Sequence, residues 1–395
     1  MKRSFSRLFI GVICLLPLFA SAQTTPGSTT LGFTPSGTRL NTVNTAVPFL
    51  NFTPDARSGA MGDAGVALSP DANSVFWNPS KLVFAPKSSG ASLSYTPWLR
   101  DLIGDMYYTY LTGYKKVGKN QAIGGSLMYF DLGTIQFTTA SGLSAGSFNS
   151  REYAFTGSYA ARLTKNFSMG VNLKYLNSNL AGATTVAGVP IKPGATAAAD
   201  ISAFYNNQVR DDATGRGLGW AFGGMISNLG GQVSYGSPQR FYIPTNLRIG
   251  TAITYYADQF NKFNFALDLN KLMVPTPPID PNKGYLASVF GSFADAPFNE
   301  ELQEINIASG IEYWYNDQFA ARLGYYNEPN AKGGRKFFTG GVGIRLQDRY
   351  GIDFSYLMPV KQGSPLANTF RVSLLIDLTK GIRITDDEEE ETEEN

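Results

Sequence analysis

The stretch NFSMGVNLKY, residues 166–175, alternates without a break: Phe167, Met169, Val171, Leu173 and Tyr175 stand against Ser168, Gly170, Asn172 and Lys174. A period of two places the two sets on opposite faces of an extended strand. FNFALDLN (263–270) and TFRVSLLIDL (369–378) repeat the pattern, with Asp268, Arg371 and Asp377 on the polar side. Segments of this kind recur near 89–98, 105–117, 121–132, 151–163, 167–178, 196–206, 217–229, 244–257, 261–271, 303–315, 318–327, 336–347, 349–359 and 369–379. Most are longer than the roughly 5–6 residues of an ordinary globular strand, and match the roughly 9–11 that a tilted strand needs to cross a bilayer. The pattern predicts an all-β fold, a transmembrane antiparallel barrel of about 14 strands.

The connections support this. Tight turns are predicted at VGKN (117–120), TKN (164–166), DQFN (258–261), ND (316–317) and QD (347–348), with longer loops near 133–150, 179–195, 230–243, 272–302, 328–335 and 360–368. Short turns on the periplasmic side and long loops outside are the usual asymmetry of bacterial outer-membrane barrels, which would put both termini in the periplasm. Arg162, Lys174, Arg248, Asp268, Glu304, Glu312, Arg322, Arg345, Asp353 and Arg371 fall on the polar face. In a barrel they point into the lumen, where charges find partners that lipid would deny them. Trp98, Tyr107, Tyr255, Tyr313, Trp314, Tyr325 and Tyr356 lie near strand ends, where headgroup belts place aromatic rings.

The chain ends divide the remaining sequence. Residues 1–22 read as a secretory signal peptide, with Lys2, Arg3 and Arg7, an apolar run, and Ala20 and Ala22 before Gln23. The single cysteine, Cys14, lies within it, so the mature chain has no thiol or disulfide chemistry. Beyond the leader no uninterrupted apolar run is long enough for a membrane-spanning helix. The barrel is assigned to 89–380 and a disordered acidic periplasmic tail to 381–395. With the leader's three basic residues and the tail's eight acids set aside, 30 basic groups face 23 acidic ones. The tail is a like-charge block of the kind that stays solvated.

There is no histidine among the 395 residues. That removes Ser/His/Asp triads, Cys/His pairs and histidine zinc sites, and the chain is read as non-enzymatic, with no cofactor or metal. Only Ser/Lys or carboxylate chemistry would remain for a lipid-modifying hydrolase, and no local motif supports either.

Residues 23–88 precede the barrel and are read as a periplasmic or lumen plug segment, because a barrel of about fourteen strands is too wide to fill with its own side chains. Within it, SGAMGDAGVALSPDANSVFWNPSKL (58–82) carries Gly59, Gly62, Asp63 and Gly65, then Trp77, Asn78 and Pro79. A phosphate loop would need a strand before it, a helix after it and no aspartate facing the phosphate. A glycine-rich turn passing close to the barrel wall fits better. NSVFWNPSKL is expected to form a short helix or turn anchored by Trp77 and ended at Asn78–Pro79.

The segment ARSGAMGDAGVALSPDANSVFWNPSKLVF resembles the N-terminal signature of FadL-like outer-membrane barrels. Together with the length, the fourteen segments and the long loops, it is similar to the PorV (LptO) branch of that superfamily. The resemblance implies an outer-membrane component of the type IX secretion system of the Bacteroidota. Such a protein would bind the C-terminal signal domains of cargo at the large translocon barrel and shuttle them to the cell-surface attachment complex. Its other neighbours would be outer-membrane lipids, with no nucleic acid. The chain runs past its last strand, so its assembly signal would be internal, around Phe370 to Leu378.

For a carrier, the candidate docking loop is 272–302, through Met273, Val274, Pro275, Pro277, Pro278, Ile279, Phe290, Phe293 and Phe298. An exposed apolar patch marks a contact surface, although a long loop can instead fold inward as a lid. The alternative is a FadL-like transporter of hydrophobic small molecules, which shares plug and barrel but calls for an apolar lumen path.

Overall fold

The computed structural model describes residues 42–100, 102–138, 141–186, 189–276 and 283–378. The expected leader with Cys14, the acidic tail, and Pro277, Pro278 and Ile279 lie outside these residues.

Fourteen strands close into one antiparallel barrel. They are β1 (Ser89–Pro97), β2 (Tyr107–Lys116), β3 (Gln121–Thr138), β4 (Ser144–Arg162), β5 (Phe167–Asn179), β8 (Gly194–Arg210), β9 (Gly217–Gly230), β10 (Asn246–Tyr256), β11 (Asn261–Leu272), β12 (Ile305–Tyr315), β13 (Phe319–Asn327), β14 (Lys336–Leu346), β15 (Tyr350–Pro359) and β16 (Phe370–Asp377). β6 (Thr184–Val186) and β7 (Val189–Ile191) form a separate two-stranded ribbon between β5 and β8. Closure is made by β1 on β16, from Gly90↔Asp377 to Tyr95↔Val372.

The alternation is inside out relative to a soluble protein. Along β5, Ser168, Gly170, Asn172 and Lys174 are buried while Met169, Val171, Leu173 and Tyr175 are exposed, Leu173 by 70%. β15 does the same, burying Asp353 and Ser355 while exposing Ile352, Phe354 and Tyr356. An apolar surface wrapping every strand is stable only against lipid. Among the described residues no helix is long and apolar enough to cross a membrane, so the strands alone do so.

Turn chemistry separates the two ends. The two-residue turns Asn316–Asp317 and Gln347–Asp348 have all four residues at positive φ, between 51° and 53°. That is the primed turn whose twist matches a tight hairpin. At 258–261 the Asp258 carboxylate accepts the Phe260 and Asn261 amides, both at 2.8 Å, closing the turn locally. The opposite end carries the long connections, and Ser89 and Asp377 both sit at the short-turn end.

Two expected loops are more ordered than the pattern suggested. β3 and β4 run on through most of 133–150 as a projecting ribbon, with register shifts at Asp131/Thr134 and Gln136/Thr138. The 179–195 loop contains β6 and β7. The first stretch is rich in Gly, Ser and Thr and the second in Gly and Ala, and both leave the apolar–polar alternation, because outside the membrane no face has to be apolar.

Two of the seven proposed belt aromatics face inward instead. Trp314 shares its parity with Glu312, is 7% exposed, and lies 5.3 Å beneath the Arg322 guanidinium. Trp98, just past the end of β1, stacks on Phe52 at 4.0 Å. Tyr255 and Tyr356 are exposed on the outer face.

Candidate functional site

The N-terminal segment from residue 42 lies inside the barrel. At the long-loop end the Ala46 amide donates to the Tyr242 carbonyl at 2.8 Å. Phe49, Leu50 and Phe52 then pack with Tyr108, Met128 and Phe130. Two short helices follow, α1 (Ala56–Ala60) and α2 (Ser74–Trp77), and a 3-10 turn over Pro79–Phe84 leads into β1.

Gly59, Gly62, Asp63, Gly65, Trp77, Asn78 and Pro79 all fall in this seat. Asp55 caps α1 by accepting the Ser58 amide at 2.8 Å, and also accepts the Trp77 indole N–H at 2.6 Å. Gly62, at φ 68°, is so close to the wall that a Cβ would lie 2.5 Å from the Tyr325 nitrogen. Gly65 has no room for a Cβ because the Trp77 ring covers it. Asn78 bridges segment and wall, donating to the Val66 carbonyl at 3.3 Å and the Ala203 carbonyl at 3.0 Å. Pro79 opens the 3-10 turn, where its missing N–H costs nothing.

The anion that the glycine stretch holds belongs to the barrel itself. The Gly65 and Val66 amides donate to one oxygen of Asp268 on β11, at 2.7 and 2.9 Å. Asp268→Asn replaces a charged acceptor with a neutral one and should cost about 1–2 kcal/mol of unfolding free energy, measured by urea titration in detergent micelles. An unchanged midpoint would mean that this contact does not hold the segment.

A charge lattice fastens the same segment across four strands. The Arg57 guanidinium bonds both Glu312 oxygens, at 2.9 and 2.8 Å, and pairs with Asp71 at 3.1 Å. Glu312 also accepts from Arg322 at 2.7 Å, Arg322 pairs with Asp353 at 2.8 Å, and Asp353 pairs with Arg345 at 2.8 Å. On the far wall Lys174 pairs with Asp200 at 2.8 Å. Of the inward charges expected from the alternation, Lys174, Glu312, Arg322, Arg345 and Asp353 therefore serve packing and pairing.

Inward-facing wall glycines complete the seat. A Cβ at Gly310 would lie 2.6 Å from the Met61 carbonyl oxygen, at Gly170 2.6 Å from the Ser80 nitrogen, and at Gly223 2.5 Å from the Val66 carbonyl oxygen. Gly324 is tighter still, facing the Gly62 amide, and Gly341 meets Ala60. Side chains are absent where the segment's backbone touches the wall.

The rim loop after β11 is folded, not extended. It holds α3 (Tyr285–Gly291) and α4 (Phe298–Leu302). Met273 and Val274 are buried with Val289 and Tyr242, and Pro275 is buried beside them, so these three candidate docking residues form the loop's underside. The reason is hydrophobic burial: the first apolar residues past the strand meet the apolar link 241–244 across the mouth. Phe290, Phe293 and Phe298 are exposed, the last by 74%, and Leu286 and Leu302 join them. Ion pairs clamp the base: Lys271 with Glu301 and Glu304, and Lys332 with Glu300 and Glu304. Burial pulls the Glu304 carboxyl up, but hydrogen bonds from Lys271, Lys332 and Thr276 outweigh it and hold it below the usual range.

Residues 36–279 match the family described as "Type IX secretion system protein PorV", more than half of the chain. The chain belongs to the PorV family. It is thus an outer-membrane β-barrel of the type IX secretion system. No curated protein matches it. Solved barrels similar to this PorV-family chain include the Pseudomonas putida toluene transporter TodX, at 11% identity and a TM-score of 0.45, covering 80% of this chain and 95% of that one. A Pseudomonas aeruginosa FadL homologue has 12% identity and a TM-score of 0.43, covering 86% and 100%. The Ralstonia pickettii toluene transporter TbuX has 14% identity and a TM-score of 0.42, covering 83% and 97%.

Sequence reasoning missed several residues of this PorV-family lumen. Arg57 and Asp71 look like surface residues in a loop-rich segment, and only their long-range partners mark them. The wall glycines fall on the polar face of their strands, where glycine reads as filler. Asp268 and Glu312 had a signal, charge in mid-strand, but nothing in sequence pairs them with particular amides or guanidinium groups.

Proposed function

We propose that this protein is a non-enzymatic carrier. It binds the C-terminal signal domains of secreted cargo at the translocon barrel and passes them to the cell-surface attachment complex. The observation that carries this reading is the two-sided rim loop, with Leu286, Phe290, Phe293, Phe298 and Leu302 exposed above a base clamped by ion pairs. A held apolar patch loses little entropy when a partner covers it. On this reading the long loops face the outside, both chain termini lie in the periplasm, and residues 58–82 act as a plug that keeps the barrel sealed while it carries. A transporter of hydrophobic small molecules is the weaker reading, because the inward wall is lined with Arg, Asp, Glu and Asn.

Purification from outer membranes in mild detergent should recover a large barrel protein and secreted chains that share a C-terminal β-domain, identified by mass spectrometry. Recovery of the chain alone with bound fatty acids would overturn the carrier reading. The triple change Leu286→Glu, Phe290→Glu, Phe298→Glu leaves the ion-pair clamp intact and should reduce co-purified cargo by about tenfold or more, with the barrel still heat-modifiable on gels. Undiminished cargo would remove the loop from the docking surface.

A further inference from the structure

Between the lumen segment and the long-loop ends of β10 to β14 lies a cavity of about 270 Å³, whose rim also carries Glu304, Glu328, Lys332 and Arg335. This is smaller than the roughly 300–1,000 Å³ of sites that enclose a whole drug-sized ligand, so it suits the end of something larger. Phe52, Trp77, Tyr326 and Phe337 supply its apolar lining. Arg248, Asp63 and Asn306 supply polar groups, and each of these three keeps one buried side-chain atom without a hydrogen-bond partner: Arg248 Nη1, Asp63 Oδ1 and Asn306 Oδ1.

Arg248 is the unusual member. It is 4% exposed, its guanidinium lies 4.8 Å from the Phe76 ring and 5.1 Å from the Trp77 ring, and it forms no ion pair among the described residues. Its one polar side-chain contact is a long one, 3.5 Å to Asn51. The wall cations Lys174, Lys271, Arg322 and Arg345 each have a carboxylate within 2.8 Å. A buried cation left without one is costly unless an anion arrives. Asp63 Oδ1 faces the Arg371 guanidinium at 3.9 Å, beyond hydrogen-bond reach, so it and Asn306 Oδ1 can each still accept a donor, which neither a fatty acid carboxylate nor a phosphate provides. One chemistry answers both needs: a carboxylate with an N–H beside it.

We propose that the cavity receives the carboxyl end of an extended peptide, its carboxylate on Arg248 and its last N–H groups on Asp63 and Asn306. This deepens the carrier reading by naming the part of a cargo chain that would enter the mouth.

The test uses the full chain in detergent, with tryptophan fluorescence as readout because Trp77 lines the cavity. The probes are trialanine, trialanine amide, alanine and hexanoate. Trialanine should saturate below about 10 mM, with the amide and hexanoate weaker by about tenfold or more. Arg248→Lys keeps the charge but loses the guanidinium fork, and Asn306→Leu loses the acceptor; each should weaken trialanine about tenfold. Equal binding of acid and amide, no saturation, or unaltered binding in both variants would overturn the proposal. Alanine binding as tightly as trialanine would overturn the peptide assignment in favour of a free amino acid. Absent peptide binding in a protein that still co-purifies cargo removes only this site. Intact peptide binding without cargo removes only the carrier reading.

Discussion

Glu312→Leu should be the most damaging single change in the barrel, lowering its unfolding free energy by about 3–5 kcal/mol. Glu312 is fully buried and accepts from Arg57 on the lumen segment, Arg322 on β13 and Asn264 on β11. Removing it leaves two guanidinium groups facing one another in a site closed to solvent, with Asp71 and Asp353 as their remaining partners. Breaking such a set from one side costs far more than the set contributes, because the orphaned charge keeps its desolvation penalty. Glu312→Gln retains the shape and the acceptor and should fall between wild type and Glu312→Leu. Adding Arg57→Met to Glu312→Leu should recover part of the loss, since fewer buried charges are then unpaired. The measurement is urea unfolding in detergent, read as the gel shift between folded and unfolded barrel. A loss below about 1 kcal/mol would show that water reaches the lattice and that its members do not depend on each other.

Gly324→Val should separate the lumen segment from its wall while leaving the barrel closed. A Cβ there falls on the Gly62 amide, and the facing partner is backbone, which cannot swing aside as a flexible side chain would. The overpacking typically costs about 1–3 kcal/mol, and here it is directed at one contact. The expected readouts are increased passage of large antibiotics across the outer membrane and new proteolytic cleavage between Ala56 and Val66. Gly340→Val is the control. Gly340 lies on the outward face of the neighbouring strand, where a Cβ meets nothing closer than 3.8 Å. If Gly324→Val and Gly340→Val behave alike, the seat is not what holds the segment.

Much of the barrel was legible because a membrane strand has one simple rule. Lipid demands an apolar side chain at every second position, so the segment at 167–178 and the strand Phe167–Asn179 nearly coincide. The rule weakens where lipid ends, and for that reason the projecting part of β3 and β4 has the sequence pattern of a loop. Position along a strand is also not direction: Trp98 and Trp314 sit near strand ends as belt residues would, yet face the lumen.

The glycine-rich stretch illustrates the other limit. Asp63 in sequence argued against a phosphate, and the backbone amides do face an anion, but it is Asp268, some two hundred residues further on. The rim loop divides in the same way. Its apolar residues were visible as a set, but which of them cover the mouth and which face outward depends on Tyr242 and Val43 lying beneath Val289.

The sequence by itself determined the closed, lipid-facing wall, the absence of histidine chemistry and the place of the glycine stretch ahead of the barrel. These follow from local period and composition, which each short segment expresses alone. Only the tertiary structure decided that Arg57 meets Glu312, that wall glycines receive the segment's backbone, and that Arg248 is left without a carboxylate. Those facts depend on which residues closure brings face to face across the lumen, and no local pattern carries that information.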